Sequence, residues 1–349
     1  MRKTLFPPAP HKGTTHTTPS GKKYQPKTTP FIVTPVRHLL LEAILQLKLL
    51  NAEQLTRRYY KAGSLVTVKN RLTVLTQKKY VGYLQLPTTE GNGPYLYFLA
   101  RNGRDYFQEL EEDVKDFYRP SKEKEKHYFT LLHLLELNDV VIAAQLFPKF
   151  APAYSLVEFQ HDLDLQHEPF YIPVERSVKA LVEGVVKETR RDETIKVIPD
   201  ALLEFRRTPS RIPGKPFDRV GIWLEHNRTG GAKRFKPKIR AILEIIGSGA
   251  YRTLLDVDIL KVAITTSGSE YRKRKLRTWT EDVLEEMGQK ERGTALSTEA
   301  RRMMKRYENT NVFYFAATPP FATGCIVPRT FFLEKVWYQP FAAKPVSLL

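Results

Sequence analysis

Val197-Ile198-Pro199-Asp200, followed after an interruption by Gly221-Ile222-Trp223-Leu224-Glu225-His226-Asn227, is the stretch whose reading decides the fold. An apolar strand ending in Pro-Asp, then a second apolar strand ending in an acid, lets one sheet bring two carboxylates together at neighbouring strand ends. Such a pair can hold Mg²⁺. Hard divalent cations prefer oxygen, and Mg²⁺ takes only one or two carboxylates, leaving its other positions to water and phosphates. Asp200 and Glu225 are therefore the candidate metal ligands, and the residue two positions beyond the second acid is the uncharged Asn227.

The bulk composition agrees with a polyanionic partner. Across 349 residues, 56 Lys and Arg stand against 38 Asp and Glu, a net charge of +18. The isoelectric point of about 9.7 is far more basic than solubility requires. Phosphate neutralisation supplies most non-specific nucleic-acid affinity and makes it salt-dependent. The length suggests two domains, and a hydrophobic content of 42% is enough for real cores. The lone Cys325 excludes a disulfide framework and a cysteine-based zinc site, which fits a reducing cytoplasm. No apolar run is read as long enough for a membrane span, and the N-terminus lacks the apolar core of a signal peptide.

Residues 1–35 carry Arg2, Lys3, Lys12, Lys22, Lys23 and Lys27 with no acid, and are dense in Pro and Thr. Such a segment buries too little apolar surface to fold alone, so it reads as a disordered basic arm. Order begins at Thr34-Pro35, an N-cap followed by proline at the first helical position. Val36, Leu39, Leu40, Ala43, Ile44 and Leu47 then recur at helical spacing. A second helix opens at Asn51, with Gln54 at the capping-box position. A third runs from about Ser64 to Lys79 with Val68, Leu72 and Leu75 inward. Its other face carries Thr67, Lys69, Asn70, Arg71, Thr73 and Gln77, which can bond base edges and phosphates. Strands over 80–86 and 94–99 follow, joined by a Gly-rich turn. Three helices and a β-hairpin make a winged helix over 36–110, a module that reads DNA through its third helix.

Residues 111–126 are a mixed-charge stretch broken by Pro120, the expected linker. From 127 the pattern gives a helix to 146 with an apolar stripe, strands over 155–160, 195–205 and 219–225, a helix over 232–246 and a strand over 257–265. That is the order of an α/β sandwich. Residues 163–194 read as an insertion, and 207–217, with three prolines, as the loop between the second and third strands. Beyond it, Tyr271-Arg272-Lys273-Arg274-Lys275-Leu276-Arg277 precedes Trp279, a phosphate-gripping candidate. Helices around 280–287 and 298–307 and a strand over 311–317 follow. An apolar tail through Phe331, Phe332, Val336 and Trp337 closes a domain ending at 341, leaving 342–349 as a tail.

The order of elements and the acids resemble the restriction-endonuclease-like superfamily, where the first helix offers a Glu, the second strand an Asp after Pro, and the third an acid-x-Lys. By that resemblance Asp200 and Glu225 match the metal-binding acids and Glu136 is a third. Asn227 departs from the pattern, since it cannot stabilise an attacking hydroxide or a pentavalent phosphate. A lysine from the next helix could stand in; of Lys233, Lys236 and Lys238, helical spacing favours Lys238, one turn from Arg234 and Ile242. A narrower resemblance, to the bacterial replication-relaxation family, rests on Leu75–Gly82, Tyr95–Gly103 with its Leu99-Ala100-Arg101-Asn102-Gly103 turn, His133–Val141, Pro199-Asp200, Glu225-His226-Asn227-Arg228-Thr229 and Lys238. It covers about 36–265.

That resemblance implies an α+β protein, an N-terminal winged helix followed by an α/β restriction-endonuclease-like sandwich. It implies a role in replication or mobilisation of a plasmid or mobile element, in the cytoplasm, with double-stranded DNA as partner. A homodimer and replication or mobilisation proteins are further partners left open. The favoured expectation is sequence-specific binding by Thr67, Lys69, Asn70, Arg71 and Arg272, Lys273, Arg274, Lys275, needing no cofactor, beside a degenerate nuclease-like domain. The alternative is an Mg²⁺-dependent nuclease or nickase using Asp200, Glu225 and Lys238. Other chemistries fall away: there is no Gly-x-x-x-x-Gly-Lys-Ser/Thr loop for an ATPase and no His-x-His for a rolling-circle nickase. Tyr59-Tyr60 read as packing or phosphate-contact residues, and His226 as structural.

Overall fold

The computed structural model describes residues 31–61, 63–88, 91–110, 127–167, 169–182, 185–247, 249–292, 312–321 and 324–349, plus short paired strands at 16–17 and 23–24. The remainder of the basic arm, the charged linker 111–126 and the helix expected over 298–307 lie outside these residues. The chain is α+β and divides into two compact units, Met1–Lys126 and His127–Leu349.

In the first unit, α1 (Pro35–Leu47), α2 (Ala52–Tyr59) and α3 (Leu65–Gln77) accompany a sheet of β1 (Leu50–Asn51), β2 (Val81–Thr88) and β3 (Gly91–Leu99), in the order β1-β3-β2. Pro35 opens α1, although the Thr34 side chain makes no capping bond. Leu41 rather than Leu39 is buried with Leu40, Ala43, Ile44 and Leu47. The capping box forms at α2: Gln54 N donates to Asn51 Oδ1 at 2.7 Å and Asn51 N to Gln54 Oε1 at 3.1 Å. Val68, Leu72 and Leu75 of α3 are fully buried. The expected turn at 99–103 instead starts a helix, α4 (Arg101–Glu109). Gly103 hides it from sequence: glycine is a poor helix former, yet any Cβ here would lie 2.3 Å from the Tyr80 carbonyl oxygen.

The second unit is built on a five-stranded mixed sheet, β10-β9-β8-β7-β4 in order. It comprises β4 (Tyr154–His161), β7 (Ala201–Arg207), β8 (Asp218–His226), β9 (Ile259–Ser267) and β10 (Phe313–Thr318). Pairing is antiparallel between β4, β7 and β8 and parallel from β8 to β10. The expected insertion holds α6 (Asp162–His167) and a hairpin of β5 (Phe170–Val182) and β6 (Val185–Val197). The strand read over 195–205 is two elements: β6 ends at Val197 and β7 begins at Ala201. Asp200 therefore stands before a strand start, not at a strand end, and meets the end of β8 because β7 and β8 run antiparallel.

Alternation along the strands assigns the two faces. Trp223, Leu260, Val262, Ile264, Phe313 and Phe315 share one core with Ile239, Ile242 and Leu243 of α7 (Ala232–Gly247) and Leu276 and Val283 of α9 (Glu270–Arg292). Between those helices sits α8 (Tyr251–Leu255). On the other face Phe205 packs on Phe147 and on Phe332 of α10 (Pro328–Leu333), at 5.8 and 5.7 Å between centroids. Here α5 (Tyr128–Leu146) lies against β4, β7 and β8. The apolar stripe expected on α5 extends around it, since every residue from Leu131 to Ala144 except His133 is buried. Contrary to the sequence reading, Tyr128–Lys149 is long and apolar enough to cross a membrane by length and composition, at mean hydropathy 1.3. Its window is 72% buried inside the unit, so its apolarity is that of a core helix. Residues 342–349 are docked on the fold: Val346 bridges Trp337 and Leu348 is fully buried.

Candidate carboxylate centre and nucleic-acid surfaces

The centre is assembled at one end of the β7–β8 pair. Leu224 is paired with Ala201, so the residues just beyond, Asp200 and Glu225, are neighbours. Asp200 is locked to β8 from two directions, its backbone N donating to Leu224 O at 3.0 Å and its Oδ2 accepting from His226 N at 2.6 Å. Glu225 and His226 are consecutive and so project to opposite faces. Glu225 pairs in register with Ile264 of the α7-side core, whereas His226 pairs with Thr265.

On the α7 side, Lys238 bonds Glu225 Oε2 and lies 4.0 Å from Asp200 Oδ1. The other Glu225 oxygen accepts from Trp223 Nε1 at 2.7 Å. Burial pushes the Glu225 carboxyl up; Lys238 opposes this, Asp200 adds to it, and the result is about 7. Burial alone would lower Lys238, but the charges of Glu225 and Asp200 and the bond to Glu225 raise it. The two other candidate lysines do not reach the centre. Lys236 pairs with Asp282 and Glu286 at 2.9 and 3.5 Å, and Lys233 is exposed.

On the α5 side, His226 Nε2 lies 3.0 Å from Glu136 Oε2 and Nδ1 2.9 Å from Thr265 Oγ1. Glu136 is also approached by Arg228 Nε at 3.4 Å. Burial works to raise Glu136, but the hydrogen bond and charge of His226, with Arg228 and Ser267, hold it below its ordinary value. Glu136 is thus committed to His226 and Arg228, on the opposite face from Lys238. His133 of α5 completes the group, 3.9 Å from Asp200 Oδ2 with its ring 5.5 Å from that of His226. Burial lowers its pKa against the pull of Asp200.

Asn227, at the position where the resemblance expected a lysine, has an architectural part. Arg272 from α9 donates to Asn227 Oδ1 and to Gly230 O, tying the loop between β8 and α7 to α9. A Cβ at Gly230 would come within 2.9 Å of the Asn227 amide, so the loop is tight. His133 and Thr265 reach this centre by packing and strand pairing over long separations, which local sequence does not signal, whereas Trp223 and Arg228 lie close along the chain to Glu225 and His226. Among the described residues no three His, Cys, Asp or Glu side chains form a metal cage. Two carboxylates facing one cation are nonetheless a donor set that Mg²⁺ accepts.

The basic residues divide by environment. On α3, Thr67, Lys69 and Asn70 are exposed. Arg71 is half-buried: its Nη1 donates to Tyr60 Oη at 2.6 Å and its guanidinium lies 5.4 Å from that ring's centroid. The stretch 271–277 forms the first turns of helix α9. Arg272 points into the Asn227–Gly230 loop, and Lys273 is buried on Tyr338 and paired with Glu270 at 2.7 Å. Arg274 and Lys275 remain exposed, with the Lys275 ammonium 5.6 and 5.4 Å from the Tyr271 and Trp279 ring centroids. No protein-family model, no curated protein and no solved structure matches the chain.

Proposed function

We propose that this is a DNA-binding protein of a plasmid or other mobile element, acting in the cytoplasm in the replication or mobilisation of that DNA. In this reading residues 36–110 are a winged helix and residues 127–341 a restriction-endonuclease-like sandwich. One observation carries it: α3 buries Val68, Leu72 and Leu75 while exposing Thr67, Lys69 and Asn70 beside a paired hairpin. Such a face suits a major groove, where amides and cations bond base edges and phosphates. The net charge of +18 supplies the long-range attraction. DNA binding in this mode needs no cofactor. Mobility shifts on the element's own DNA test it. Changing Lys69, Asn70 and Arg71 together to Ala is expected to abolish the specific complex and to flatten the salt dependence. Full retention of affinity by that variant would refute the reading.

One observation favours a second reading, cleavage of that DNA: the convergence of Asp200, Glu225 and Lys238. Asp200 and Glu225 would hold Mg²⁺, which when bound supplies Lewis-acid polarisation of a phosphate and activation of a water. The chain's own residues do the rest. Trp223 and the His226 backbone orient the two carboxylates, and Lys238 brings the positive charge absent at Asn227. Asp200→Ala is expected to remove Mg²⁺-dependent nicking of a plasmid carrying the binding site, leaving the mobility shift intact. Wild-type protein that nicks with neither Mg²⁺ nor Mn²⁺ would exclude this second reading and leave the first.

A further inference from the structure

Beside the carboxylate centre, between the start of α5 and the loop leading into α7, lies a cleft of about 310 Å³. Its lining includes Phe129, Thr130, His133, Asn227, Arg228 and Thr229, and no lining residue is acidic. Arg228 is divided between two directions. Its Nε faces Glu136 at 3.4 Å, while its Nη1 is buried and has no hydrogen-bond partner among the described residues. A buried guanidinium donor without an acceptor is a costly arrangement, and a planar donor fork matches the paired oxygens of a phosphate or a carboxylate. Phe129 is half exposed, and the Arg228 guanidinium lies 5.9 Å from its ring centroid. The loop bearing Arg228 is held in advance by Arg272 through Asn227 and Gly230. The backbone carrying Arg228 is therefore held before any ligand binds, and the buried Nη1 meets a ligand by a turn of the side chain alone.

We infer that this cleft is a phosphate subsite for a single DNA strand, in which Arg228 and His133 take the oxygens of one backbone phosphate and Phe129 lies against the adjacent base. The exposed aromatic face explains why a nucleotide suits the cleft better than free phosphate does: stacking on one ring adds sequence-tolerant affinity. The subsite deepens the cleavage reading, since the phosphate would lie next to Asp200, but it needs no metal and no chemistry to be occupied.

Anisotropy titrations of a labelled hexathymidylate against the full chain, in EDTA and over a range of salt, test it. Arg228→Gln is expected to weaken binding about tenfold and to reduce the slope of log K against log salt by about 0.7, the share of one single-strand phosphate. Phe129→Ala is expected to weaken binding at unchanged slope. Inorganic phosphate should compete and thymidine should not. Parental affinity and slope in Arg228→Gln would overturn the inference, as would failure of phosphate to compete. Should Arg228→Gln melt early through the loss of its Glu136 contact, Phe129→Ala decides: parental affinity there overturns the inference. Duplex binding by the α3 variant and nicking by Asp200→Ala are scored on separate DNA with separate proteins. Loss of either activity therefore leaves the strand-binding result standing on its own.

Discussion

Glu225 and Glu136 are the same residue type, both buried, both within bonding distance of a cationic or potentially cationic side chain, yet their carboxyls are displaced in opposite directions. Glu136 has His226 and Arg228 around it and lies on the α5 face. Glu225 has Lys238 and an indole donor, but it also has Asp200 beside it, whose charge adds to the effect of burial. The difference teaches that a buried acid becomes satisfied or needy according to its second neighbour. Asp200 turns one ion pair into a site with more negative charge than a single ammonium neutralises. No acid is among the groups that chiefly displace Glu136, and it behaves as a strut.

The largest expected effect comes from removing the ammonium. Lys238→Met should destabilise the second unit by about 3 kcal/mol in denaturant unfolding at pH 8, since breaking a buried pair leaves an uncompensated charge. The loss should shrink on acidification. Glu225 titrates at about 7 in the folded protein against an ordinary 4.5, so its contribution to stability is fully present below 4.5 and is lost as pH rises through about 7. A variant penalty independent of pH would break the comparison. Glu136→Gln should cost less, about 1–2 kcal/mol, the range for a hydrogen bond to a charged group. Its pH signature is the reverse: the lowered Glu136 gives stability above its ordinary value that is lost as pH falls, so the glutamine variant should lose less in acid than its parent does. The smallest effects sharpen the neighbour argument. Trp223→Phe, which removes one donor for about 1 kcal/mol, should move the Glu225 titration upward. Asp200→Asn should move it downward. NMR titration of the side-chain carboxyl carbons reads both, and an upward move with asparagine would sink the account.

Much of this arrangement is legible in the chain. The Asn51–Gln54 capping box, the inward positions of α3 and the prolines of the 207–217 loop are local signals, and local physics decides them. Lys238 was reachable because helical spacing ties it to the core residue Ile242. The break at 198–200 was not, since Val197 through Phe205 alternates and packs like one strand until tertiary pairing claims each half separately. The basic run at 271–277 promised four contacts for DNA. Packing has turned Arg272 and Lys273 inward, because the α9 helix places these two consecutive cations against the loop and Tyr338 and the next two toward solvent, a partition that charge alone does not reveal. The Glu136–His226–Thr265 chain spans three elements: resemblance pointed to Glu136 as an acid and His226 read as structural, but nothing in the sequence joined them to each other or to Thr265.

The β7–β8 hairpin carries a further consequence. Its turn, residues 208–217, lies at the opposite end of the ladder from Asp200 and Glu225. The number of residues between the two acids is therefore set by strand length and turn length, neither of which touches the chemistry. Chains with the same centre are free to drift in spacing without moving an atom of it. A search that fixes the interval between the acids will pass over them, whereas one that fixes their register across the strand pair will find them.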